Sequence, residues 1–96
     1  MLRIEGFDWD AGNERKNDKH GIPRKEAEEV FVNAPLLISI DDKHSMNEPR
    51  FKAYGRTNSG KLLTVIFTVR DEGRLIRVIS ARCMHHKERK NYGKKT

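Results

Sequence analysis

Apolar positions crowd into the second half of the chain, where they alternate with polar ones at the period of a β-strand, whereas the first third is written at helical spacing. Arg3 to Phe7 predicts a short first strand. Ala11 to Lys19 predicts a helix, bracketed by Asp10 as N-cap and Gly21 as the residue past its end, with Pro23 close behind. Its i, i+3, i+4, i+7 positions are Asn13, Lys16, Asn17 and His20, where a docked helix would carry its apolar stripe. Hydrophobic burial along that face cannot hold such a helix. It is either a solvated element docked through Phe7 and Trp9 or a functional surface.

A second helix follows Pro23. Ala27, Val30, Phe31 and Ala34 repeat the helical spacing and make a real core face, and Pro35 stops it. Then come the runs Leu36 to Ile40, Arg50 to Arg56, Leu62 to Arg70 and Arg74 to Cys83, with turn-forming Asn58-Ser59-Gly60 and Asp71-Glu72-Gly73 at two of the junctions. These predict an antiparallel meander. The charged stretch from Met84 to Tyr92 predicts a last helix, closed by Gly93, with Lys94 to Thr96 frayed. Together the elements predict a single α+β domain over residues 1–96, in which an antiparallel sheet of about four to five strands is accompanied by two N-terminal helices and a short C-terminal helix. Phe51, Val65, Phe67 and Ile79 are expected to pack on Ala27, Val30 and Phe31.

Alternation also sorts side chains by face. In Arg50 to Arg56, Phe51, Ala53 and Gly55 lie on one side, and Arg50, Lys52, Tyr54 and Arg56 on the other. Three cations around a tyrosine suit a phosphate backbone with a stacking surface, although a solvated outer face would look the same. In the last strand Leu75, Arg77, Ile79 and Ala81 share one face, and Ile76, Val78, Ser80 and Arg82 the other, so either choice of core carries an arginine with it. Such an arginine pairs with a carboxylate such as Asp8, Asp10, Asp42 or Glu48, or it serves an anionic ligand.

Charge sharpens this picture. Twenty Lys and Arg against fourteen Asp and Glu give a net charge of +6, with a mean hydropathy of −0.84, so a partner rich in phosphate or carboxylate is expected. The single cysteine, Cys83, excludes an internal disulfide and a zinc site built on several cysteines, and fits a reducing cytoplasm. His85 and His86 point about 100° apart on a helix and offer no tetrahedral metal set. No apolar run approaches a membrane span, so a soluble cytoplasmic protein without membrane contact is expected.

The run FDWDAGNERKNDKHGIPRKEAEEVF, Asp42-x-His44, Glu48-x-Arg50-Phe51, Gly55-Arg56, IRVISAR at Ile76 to Arg82 and Glu88-Arg89-x-x-Tyr92 together resemble the BrnT family of toxins over nearly the whole chain. The chain departs from that pattern at Pro23 and at Cys83 to His86. The resemblance implies a compact, RelE-like ribonuclease of a bacterial toxin/antitoxin pair, with RNA as substrate and a BrnA-like antitoxin as partner. It also implies DNA contact only through the antitoxin, and it allows a homodimer within a toxin/antitoxin heterotetramer. No cofactor is implied. Metal-free cleavage needs a base for the ribose 2′-hydroxyl, cations for the charge developing on phosphorus, and an acid for the leaving oxygen. Lys19, His20 and His44 are the acid/base candidates, whereas Glu48 is expected to pair with Arg50 or Arg77. Arg56, Arg77 and Arg82 are expected at the phosphate, and Lys16, Asn17, Arg50, Lys52, Tyr54 and Tyr92 along the RNA. The competing reading is a non-catalytic nucleic-acid or partner-binding module, which the same charge would serve.

Overall fold

A computed structural model describes residues 4–10, 12, 21–41 and 48–96. Along these, strand β1 (Gly6–Phe7) leads to helix α1 (Arg24–Val32), strands β2 (Leu37–Ile40), β3 (Phe51–Arg56), β4 (Leu62–Arg70) and β5 (Leu75–Cys83), and helix α2 (His86–Lys95). The helix predicted over residues 11–19 lies outside the described residues. At its expected start, Asp10 accepts the Gly12 N–H at 2.9 Å, the bond an N-cap makes.

The strands form one sheet in the order β1-β5-β4-β3-β2. From β2 to β5 it is the expected antiparallel meander, but β1 adds parallel to β5, with Gly6 opposite Leu75, so the sheet is mixed. Gly60 and Gly73 take positive φ, 92° and 86°, as the two hairpin turns require. Gly93 does not close the last helix, because α2 runs on to Lys95.

α1 lies on one face of the sheet. Ala27 and Val30, both fully buried, meet Ala53, Leu63, Val65 and Phe67, and Ile22, Ile76, Val78 and Ala81 complete the core. A chain of rings, Phe7–Phe31–Phe67–Phe51, crosses the core with centroids 5.7, 5.0 and 5.3 Å apart. Helix and sheet approach closely at Gly55, where a Cβ would sit 2.9 Å from the Val30 Cγ1. Ile79 is not part of this core. The pairing slips between Ile66, opposite Ser80, and Phe67, opposite Val78, leaving Ile79 as the extra residue of a β-bulge.

Candidate functional site

That bulge decides which side chains share a surface. Before it, Ile76 and Val78 point to the core; after it, Ala81 does. Leu75, Arg77, Ser80 and Arg82 are therefore turned to the opposite face together, and the expected split of the two arginines between faces is corrected. One extra residue restores apolar alternation toward α1, so no guanidinium need enter the core.

Neighbouring strands extend this face in rows. Lys52 lies opposite Ile66 and Ile66 opposite Ser80; Tyr54 lies opposite Thr64 and Thr64 opposite Arg82; Thr68 lies opposite Arg77. Arg50 stands one residue ahead of β3, its carbonyl accepting the Asp41 N–H at 2.8 Å. Arg70 continues the row of Thr64, Ile66 and Thr68 along β4. The alternation of β4 could have shown these last polar side chains from sequence.

The arginines are held by carboxylates. Arg77 reaches Asp10 at 2.9 Å and Asp8 at 3.6 Å, two of the partners considered from sequence. Arg82 grips Glu88 with both terminal nitrogens, at 2.7 and 3.0 Å. Glu88 also accepts the His85 N–H at 2.8 Å and the Thr64 hydroxyl at 3.0 Å. Burial pushes the Glu88 carboxyl up, but Arg82, His85 and Thr64 outweigh it and bring it down to about 2. Glu48 pairs with Arg70 rather than with Arg50 or Arg77, because the β4 register brings Arg70 to it. The hydrogen-bonded Arg70 guanidinium holds its carboxyl below the usual value against a smaller effect of burial, with Arg50 and Arg77 adding to the lowering. Both carboxylates are therefore anchors for cations at neutral pH. Lys52, Tyr54 and Ser80, by contrast, make no side-chain hydrogen bond or ion pair among the described residues.

Other expected residues fall elsewhere. Arg56, at the end of β3, donates from Nε to the Ala34 carbonyl at 3.1 Å. Tyr92 is buried, and its hydroxyl donates to the Pro35 carbonyl at 2.5 Å, pinning α2 beside β2. Lys16, Asn17, Lys19, His20 and His44 lie outside the described residues. Among the described residues no group of His, Cys, Asp and Glu is placed to hold a metal ion, and no helix is long and apolar enough to cross a membrane.

A small α+β domain that gathers Arg50, Lys52, Arg70, Arg77 and Arg82 around a tyrosine on one sheet face has the make-up of a polyanion-binding protein. Residues 9–88 match the family model for BrnT, the ribonuclease toxin of a type II toxin-antitoxin system, and the chain belongs to that family. It is thus a ribonuclease toxin, with RNA as substrate and a cognate antitoxin as partner. No curated protein matches the chain.

Proposed function

We propose that the protein cuts single-stranded RNA on the sheet face opposite α1, without a metal ion, by attack of a ribose 2′-oxygen on the adjacent phosphorus. The O2′–P bond forms and the P–O5′ bond breaks; a base takes the 2′-proton and an acid returns one to O5′, leaving a 2′,3′-cyclic phosphate and a 5′-hydroxyl. The observation that supports this is the convergence of Arg77, Arg82, Lys52 and Tyr54 on one surface, with Lys52 unpaired among the described residues. Lys52, with Arg50 beside it, takes the scissile phosphate directly. Arg77 and Arg82 are oriented by their carboxylates and offer the N–H groups those carboxylates leave over, since a guanidinium has about five. Tyr54 stacks on a base, and Arg56 extends the cationic track along β3. Lys19, His20 and His44 supply the acid and base, and Lys16 and Asn17 hold the backbone. A BrnA-like antitoxin silences the enzyme in the cytoplasm by laying acidic residues over Arg50, Lys52 and the tail from Lys87 to Lys95, and DNA is contacted only through that partner.

The test is cleavage of a mixed-sequence RNA in EDTA, with products ending in a 2′,3′-cyclic phosphate or its 3′-phosphate. Lys52→Ala should lower the rate about a hundredfold with an unchanged circular dichroism spectrum. An absolute need for Mg²⁺ would overturn the mechanism, and RNA binding without any cleavage would leave a binding module.

A further inference from the structure

We propose that the cleft between α2 and the β2–β3 edge is a nucleobase subsite, in which Tyr54 supplies the stacking surface and Asn91 reads the base edge. This rests on the RNA-cleaving reading and adds to it where the enzyme would sense sequence. The cleft measures about 320 Å³ and is lined by Leu37, Ser39, Tyr54, Asn91, Tyr92 and Lys95. That is the lower end of the ~300–1,000 Å³ range of small-ligand pockets, and it is ample for one base.

Its walls are firm, and among the described residues the Tyr54 hydroxyl and the Asn91 amide make no side-chain hydrogen bond. Tyr92 is fixed by Pro35, and Glu88, at the floor, is spent on Arg82, Thr64 and the His85 N–H, so neither closes the space nor competes for a ligand. The Tyr54 ring faces Leu37 across the β2–β3 ladder. The Asn91 amide, exposed on α2, has no hydrogen-bond partner among the described residues. Lys52, two residues from Tyr54 on the same face, and Lys95 at the cleft itself are cations for the phosphates on either side. A nucleotide whose phosphate rests on Lys52 therefore has its base directed toward an aromatic wall with an amide at the edge, the usual form of recognition of an unpaired base.

The chemistry of the amide makes a sharp test. Asparagine offers one donor and one acceptor, which fit any base edge with an adjacent acceptor and donor; a carboxylate only accepts. Guanine alone presents two adjacent donors, N1–H and N2–H₂. Asn91→Asp should therefore enrich guanine at one fixed position relative to the cut, by roughly fivefold to a hundredfold over wild type, when product ends from a mixed-sequence RNA are sequenced. Asn91→Ala should show no such guanine enrichment, which traces the gain to the carboxylate. Unchanged base frequencies in both variants, at wild-type rate, would overturn the subsite and leave RNA cleavage standing. Should the wild-type protein cut no RNA, the cleavage reading fails and the subsite is judged by NMR titration with the four nucleoside 3′-monophosphates. Shifts centred on Tyr54 and Asn91 would support it. Shifts elsewhere, or none at millimolar nucleotide, would overturn it.

Discussion

Replacing Glu88 by glutamine keeps the shape of the residue that ties α2 to the sheet and removes only its charge. The Thr64 hydroxyl and the His85 N–H can still donate to the amide oxygen, but the two-pronged grip of Arg82 is broken. The depression of the Glu88 carboxyl from 4.5 to about 2 corresponds to roughly 3 kcal/mol of preference for the ionised form in the folded state. The Glu88 and Arg82 side chains retain 17% and 23% of their exposure, so water screens part of the attraction and about 2 kcal/mol is expected at neutral pH. For a domain of this size that is a fall in Tm of roughly 10 °C. The sign with pH follows from the direction of the shift. The folded-state value lies below the unfolded one, so this stabilisation is complete above pH 4.5 and disappears as the pH falls from there toward 2. Urea unfolding of wild type and Glu88→Gln, from neutral pH down in steps, is the assay. It can be followed by far-UV circular dichroism and by the fluorescence of Trp9, the single tryptophan, whose indole donates to Glu28 at 2.7 Å. The gap between the two proteins should narrow as the pH drops. A neutral-pH gap below about 0.5 kcal/mol, or one that stays constant down to pH 3, would refute the charge-based account.

Gly55→Ala places a methyl group 2.9 Å from Val30 Cγ1 and 3.2 Å from the Val30 carbonyl, and should cost about 1–3 kcal/mol in urea unfolding. Combined with Val30→Ala it should cost less than the sum of the two changes, because part of the clash is removed; simple additivity would show that α1 shifts freely. Lys52→Glu should weaken binding of an uncleavable RNA and lower the slope of log affinity against log salt by about 0.7, since one phosphate is no longer neutralised by the protein. An unchanged slope would remove Lys52 from the RNA path. Antitoxin association should slow as salt rises while dissociation barely changes, and charge reversal at Arg50 should weaken RNA and antitoxin alike. Stopped-flow binding that shows salt-insensitive association would place the antitoxin on another surface.

The strands from β2 to β5 and the helix after Pro23 were legible in the sequence because each depends on neighbours within a hairpin or a few helical turns: apolar alternation, turn residues at Asn58 to Gly60 and Asp71 to Gly73, and the stripe of Ala27, Val30 and Phe31. The basic face of β3 followed from the same period. Strict alternation failed at Ile79, since nothing local marks a bulge that exists to keep Val78 and Ala81 both facing the core. That one residue brings Arg77 and Arg82 to the same side, so the composition of the candidate site is a tertiary outcome. The parallel pairing of β1 with β5 is likewise one, as it joins the two ends of the described sheet sequence, Gly6 with Leu75. So is the choice of carboxylate for each arginine. Net charge made ion pairs certain, but only the sheet register could hand Glu48 to Arg70, and only the approach of α2 to the face of Thr64 could hand Glu88 to Arg82. Propensity and period act over a few residues and are written in the chain, whereas the side chains that meet across strands and layers are decided by packing the whole domain at once.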